Sequence, residues 1–258
     1  MFVKFAARSD VGHVRTNNED NFFCNGIFSE TPTSAQGVSE APCVFAVCDG
    51  MGGEDFGEVA SLKTVEKLAE HCEKIKFGNY EAVEEFVKAA NAAVMTFAKE
   101  QNSRAGTTLA LVVISEDFFT AYNLGDSRIY VLKEENLLRV TDDHTVAEEK
   151  ARMGLITPRK AQTSHERHIL TKFVGISDDP FVISPDASGP HHVNEVKRVL
   201  LCSDGLTEML THREISEIVS GNYDVSVSVD KLIEAALERG GKDNVTCVLL
   251  EFTNEIQK

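Results

Sequence analysis

Apolar positions along the chain form short runs and longer helical stripes, and the two kinds of segment come in blocks. Phe2 to Ala7 and Asn21 to Phe28 predict strands. Cys43 to Cys48 is apolar throughout, which predicts a strand covered on both faces. Between them, Ser29 to Pro42 is polar, carries two prolines and one glycine, and predicts a surface loop. Two long helices follow. Leu62, Val65, Leu68, Ala69 and Cys72 recur at helical spacing from Phe56 to Ile75. Val83, Phe86, Val87, Ala90, Val94 and Phe97 form a second stripe from Tyr80 to Gln101, with Gly78-Asn79 as the break.

A dense group of strands comes next: Thr107 to Ile114, Phe118 to Leu124, Arg128 to Leu132 and Leu137 to Thr141. Short polar turns separate them, which predicts an antiparallel meander with a hairpin at Gly125-Asp126-Ser127. Asp142 to Ser188 is mostly polar, with a short helix near Val146 to Met153 and turns at Gly154 and Pro158, and reads as an excursion over one edge. Arg198 to Ser203 returns to strand. Arg213 to Val219 and Val229 to Arg239 are helical, the latter stopped by Gly240-Gly241. Val245 to Phe252 is the closing strand. Strands and helices in blocks, not in strict alternation, predict an α+β fold.

Composition narrows the function classes. The 258 residues suffice for one large domain or two small ones, and 42% hydrophobic with 26% charged residues is a soluble, globular balance. No apolar stretch reaches the roughly 18 residues of a membrane span. Met1 to Arg8 turns polar too soon for a signal peptide. A net charge of −15 argues against a nucleic-acid partner, which selects a basic face. Cys24, Cys43, Cys48, Cys72, Cys202 and Cys247 form no C-x-x-C pair and most lie inside apolar runs. They read as buried thiols in a reducing cytoplasm.

The chemistry lies in aspartates beside those runs. Val44 to Cys48 leads into Asp49-Gly50-Met51-Gly52-Gly53, and Val199 to Ser203 into Asp204-Gly205. Asp243-Asn244 precedes Val245, and Asn18-Glu19-Asp20 precedes Phe22-Phe23. Each motif alone reads as a turn or a helix cap. Several strand-end carboxylates brought to one edge would repel unless cations neutralise them, and hard divalent cations select such oxygen arrays. Two cations sharing a carboxylate can acidify a water into a nucleophile. Arg15, five residues before Asp20, has the planar fork that suits a phosphate.

The ordered set Arg15-x-x-x-Glu19-Asp20, Asp49-Gly50-Met51-Gly52-Gly53, Ala105-Gly106-Thr107-Thr108, Leu124-Gly125-Asp126-Ser127-Arg128, Ser203-Asp204-Gly205 and Asp243-Asn244-Val245-Thr246 resembles the metal-dependent serine/threonine protein phosphatases of the PPM, or type 2C, family, in its compact bacterial branch. The resemblance runs from about Phe5 to Phe252. It implies a four-layer α-β-β-α sandwich over one catalytic domain, residues 1–258, with a flap subdomain at about 142–188. It implies manganese or magnesium, two per site. Asp49, Asp204 and Asp243 would hold the first; Asp49, the Gly50 carbonyl and water would hold the second, with Asp20 and Glu19 close by. Asp126 with Asp204 would form a weaker third site. Arg15 would bind the substrate phosphate, and Asn244 would support the ligands. A water bridging the two metals would attack phosphorus in line.

The implied partners are phosphorylated proteins, among them a cognate serine/threonine kinase and its targets, with neither nucleic acid nor membrane. Two positions depart from the family. Met51 stands where many eukaryotic members have histidine, and Glu54 where bacterial members often do, which leaves metal-bound water as the proton source for the leaving group. The alternative function is a silent relative that binds phosphoproteins as a scaffold; the presence of Arg15, Asp49, Asp204 and Asp243 together favours the enzyme.

Overall fold

In the computed structural model, residues 1–52, 56–179 and 181–253 are described. Two antiparallel sheets pack face to face. The first has the order β3-β1-β12-β11-β8-β9, from β1 (Phe2–Asp10), β3 (Ser34–Glu40), β8 (Arg128–Lys133), β9 (Asn136–Arg139), β11 (Arg198–Cys202) and β12 (Val245–Thr253). The second runs β10-β7-β6-β4-β2, from β2 (Asp20–Cys24), β4 (Cys43–Met51), β6 (Leu109–Ile114), β7 (Phe118–Leu124) and β10 (Asp186–His192), with the short β5 (Gly106–Thr107) on β4. Helices α1 (Gly57–Phe77) and α2 (Tyr80–Glu100) cover the second sheet. Helices α5 (Asp204–Met209), α6 (His212–Val219) and α7 (Val225–Glu238) cover the first. The expected α-β-β-α sandwich is therefore present.

Strand alternation explains why runs such as Cys43 to Cys48 are apolar throughout. Cys43, Phe45 and Val47 point between the sheets, whereas Val44, Ala46 and Cys48 point toward α1 and α2. Both faces of the strand are covered, so both sets must be apolar. The same division separates Val248 and Leu250 from Cys247 and Leu249 on β12. Phe45 is fully buried against Phe5, ring centroids 5.3 Å apart. Phe45→Ala is expected to cost about 4 kcal/mol of stability through lost burial and the cavity left behind, measured by urea unfolding. All six cysteines are free and buried. Among the described residues, no helix is long and apolar enough to cross a membrane.

Several expectations need correction. Ser34 to Glu40, expected in a loop, forms β3, an edge strand paired to β1 alone. Its ladder hydrogen bonds satisfy the backbone while most side chains face solvent, so it needs no apolar run. Strand β10 was likewise hidden, by its Gly-Pro pair and by a register shift between Ser188 and His191. Its first residues, Asp186 to Ser188, take the end of the expected flap into the second sheet. The predicted meander is two hairpins, β6-β7 and β8-β9, in different sheets. Gly125-Asp126-Ser127 is thus a crossover between sheets, not a hairpin turn. The flap carries α3 (Val146–Arg152), α4 (Pro158–Thr163) and a 3-10 turn at His165–His168.

Candidate active site

The sheets bring four strand ends to one edge. Strand β2 begins at Asp20, which pairs in register with Asp49 near the end of β4. Strand β11 ends at Cys202, opposite Cys247 near the start of β12, so Ser203-Asp204 lies beside Asp243-Asn244. The Ser203 amide donates to the Thr246 carbonyl at 3.1 Å. Ser203 also links the two sheets: its hydroxyl accepts from the Thr246 amide at 2.9 Å and donates to Asp20 Oδ2 at 2.8 Å. Two glycines permit this crowding. A Cβ on Gly50 would lie 2.2 Å from the Gly57 carbonyl, and one on Gly205 1.9 Å from that of Asn244.

Electrostatics marks the cluster. Burial raises the Asp49 carboxyl well above the usual range, and repulsion from Asp20, Asp204, Asp126 and Asp243 adds to it. Asp204 is raised by burial, then by Asp126, Glu208, Asp243 and Asp20. Burial lifts Asp20 to about 6 although Thr246 and Ser203 hydrogen bonds oppose it. Asp126 is pushed up to about 7 by burial and Asp143. Asp20 Oδ1 is buried without a hydrogen-bond partner. An orphaned carboxylate oxygen among repelling carboxylates is a donor set that fits divalent cations.

The other predicted residues have distinct surroundings. The Arg15 guanidinium donates through Nη2 to Asp243 Oδ2 at 2.8 Å, and its side chain is 52% exposed. That bond is the main reason its pKa rises. Asp243 Oδ1 accepts from the Asn244 amide at 2.9 Å. Asp243 is therefore turned toward Arg15, at the same edge as Asp49 and Asp204. The Glu19 carboxyl lies against Gly57 at the start of α1, and burial and Glu58 raise its pKa. Among the described residues, one group brings three metal-type donor atoms within 4.8 Å of one another: His168, Asp204 and Glu208. Met51 pairs with Gly106 at the end of β4. Glu54 lies outside the described residues.

Asn244 braces the loop that carries Arg15. Its side-chain oxygen accepts from the Glu19 amide at 2.8 Å, and its amide donates to the carbonyls of Val11 at 3.0 Å and Asn17 at 2.8 Å. Asn244→Ala leaves these groups without a partner. It is expected to cost about 3 kcal/mol in urea unfolding and to raise KM for a phosphorylated substrate more than it lowers kcat.

Sequence reasoning gave no role to the hydroxyls. Thr108 Oγ1 accepts from the Asp49 amide at 2.9 Å and lies 2.6 Å from Ser127 Oγ, and Thr107 Oγ1 donates to the Asp49 carbonyl at 2.9 Å. These bonds hold the backbone on which Asp49 sits. The pair Thr107-Thr108 stood in a quoted motif, but only the packing of β5 on β4 places it behind Asp49. A cleft of about 590 Å³ opens from Asp126 and Asp204 under the flap, bordered by Arg128, Arg167, His168 and Glu208.

Known proteins resemble this chain in sequence and fold. The family description Protein phosphatase 2C matches residues 24–252. The serine/threonine phosphatase stp of Listeria innocua is 31% identical, over 97% of this chain and 96% of its own length. The crystal structure of the Mycobacterium tuberculosis serine/threonine phosphatase PstP/Ppp is 30% identical, has a TM-score of 0.83, and covers 98% of this chain and 100% of that one. A structure of the PstP catalytic domain in complex with two manganese ions is 31% identical with a TM-score of 0.78, covering 97% of this chain and 99% of that one. With the fold, the order of motifs, and a family match over residues 24–252 that takes in Asp49, Asp126, Asp204 and Asp243, the chain belongs to the protein phosphatase 2C family.

Proposed function

We propose that this protein hydrolyses phosphoserine and phosphothreonine on other proteins, using divalent cations held by the strand-end carboxylates. The observation that carries the reading is the cluster of Asp20, Asp49, Asp126 and Asp204, four carboxylates whose pKa values burial raises; neighbouring carboxylates raise Asp49 and Asp204 further, and Asp243 adds to the rise at Asp20. In this reading Asp49, Asp204 and Asp243 hold one cation. Asp49 and the Gly50 carbonyl hold a second, with Asp20 and Glu19 beside it, and Asp126 with Asp204 holds a weaker third. Manganese or magnesium bound there would lower the pKa of a shared water and offset negative charge on the phosphoryl oxygens.

The chain's own groups do the rest. Arg15, half-exposed and held by Asp243, offers its remaining N–H groups to two phosphoryl oxygens. Ser203 fixes Asp20 by donating to Oδ2, which leaves Oδ1 free to face a cation. Thr107 and Thr108 fix Asp49 through its backbone. No side-chain nucleophile is required, in keeping with thiols that burial pushes above their usual pKa. The flap borders the cleft beside Asp126 and Asp204, where residues flanking a phosphoserine would lie. Phosphorylated proteins are the partners of this reading, and a cognate kinase and its targets are those that the family resemblance implies.

Phosphopeptides test the reading. With manganese, the purified protein is expected to release phosphate from phosphoserine and phosphothreonine peptides, and EDTA should abolish the release. A protein that binds the peptides but leaves them phosphorylated at any manganese concentration would instead be a silent scaffold.

A further inference from the structure

His144 joins the base of the flap to the turn that carries Asp126. The ring is buried. The Gly125 amide donates to His144 Nδ1 at 3.0 Å, and the His144 amide donates to the Gly125 carbonyl at 2.9 Å. An N–H donor aimed at Nδ1 requires that nitrogen to be bare, so the neutral ring carries its proton on Nε2. That nitrogen lies 3.2 Å from Asp186 Oδ2 on β10, close but outside hydrogen-bond geometry. Lys172 Nζ holds the other oxygen of Asp186 at 2.7 Å.

Both stems of the flap meet here. The His144 carbonyl accepts from the Thr171 amide at 2.8 Å, and Thr145 bridges to Leu170. On the far side of Asp126, Ser127 Oγ lies 2.6 Å from Thr108 Oγ1. Asp126 therefore sits between two anchored neighbours in a crossover that no strand ladder holds.

We propose that His144 is a positioning residue for Asp126: its bare Nδ1 holds the Gly125 amide, and through that bond the docked flap base sets the cation affinity of the Asp126 carboxylate. The inference rests on the reading of Asp126 as a ligand of the weakest cation. Loss of the acceptor leaves the Gly125 amide unpaired and loosens the turn on that side, where the Gly125 carbonyl keeps its bonds from the His144 amide and the Asn123 side chain.

Manganese(II) binding to the full chain, titrated by calorimetry, tests it without reference to activity. Asp126→Asn is expected to abolish the weakest binding event. His144→Ala and His144→Gln are expected to weaken that event about tenfold, the size of one buried hydrogen bond, and to leave the tighter events in place. His144→Asn, whose Oδ1 can stand where Nδ1 stands, should restore wild-type binding. If Asp126→Asn abolishes the event but both Ala and Gln variants bind like the wild type, the positioning role is overturned and the Asp126 reading stands. If Asp126→Asn leaves the event intact, the Asp126 reading fails and the role of His144 falls with it. An Asn variant as weak as Ala, or equal weakening at every site, would also overturn the proposal. Should the Ala variant not fold, the Gln and Asn pair decides.

Discussion

Asp204→Asn is expected to reduce manganese-dependent turnover of a phosphoserine peptide by about a thousandfold or more, with the fold intact. Several kcal/mol of charge stabilisation from bound cations is at stake, and about 4 kcal/mol corresponds to roughly a thousandfold in rate. Stability should move the other way. Burial and repulsion from Asp126, Glu208, Asp243 and Asp20 raise the Asp204 pKa, so its charged form is unfavourable in the metal-free fold. Asparagine removes that charge at nearly constant shape. The metal-free variant should therefore melt no lower than the wild type at pH 7.5, whereas manganese should stabilise it less. Unchanged turnover would remove Asp204 from the ligand set. A collapse of the fold on substitution would reassign it to structure.

Without divalent cations, the protein is expected to lose stability as pH rises from about 4 to about 7, and manganese should restore it most at the upper end. The direction follows from the carboxylates. Asp20 is lifted from 3.8 to about 6 and Asp126 from 3.8 to about 7, so the folded state binds more protons than the unfolded state between those limits. Stability then falls with rising pH, and the loss is complete above the folded pKa values. For Asp20 alone the loss is roughly 3 kcal/mol. This is the reverse of ordinary acid denaturation, in which ion-paired carboxylates lose stability as pH falls. Cations that bind only the folded, ionised cluster add stability by mass action. Thermal melts with EDTA and with manganese at pH 5 and pH 7.5 measure both effects. A metal-free protein more stable at pH 7.5 than at pH 5 would contradict the strained cluster.

Much of the fold was legible because its periodicities are strong. The stripes of α1 and α2 and the runs of β4, β11 and β12 were predicted to within a few residues at most of their ends. The elements that were missed owe little to side-chain burial. Strand β3 exists because β1 leaves an open edge, and β10 because β7 does. Helix α5 follows Ser203 directly, where the sequence offered a turn or a helix cap but no helical stripe. Propensity and pattern are local, whereas an edge strand answers to a neighbour far away in sequence.

The site divides in the same way. Asp20, Asp49, Asp126, Asp204 and Asp243 were visible because they stand beside apolar runs that read as strands, and their order resembles one family. Sequence alone thus determined which carboxylates stand beside which strands. Which groups meet was decided by the tertiary structure. Asp20 faces Asp49 through strand register, Ser203 bridges to Asp20 across the two sheets, and Arg15 reaches Asp243 from a loop that Asn244 ties down. His144, without a pattern of its own, came to hold the Asp126 turn because the flap folds back onto a crossover between sheets. Hydrogen bonds and charge repulsion act over a few ångströms, and only the packed sheets bring residues more than a hundred positions apart to that distance.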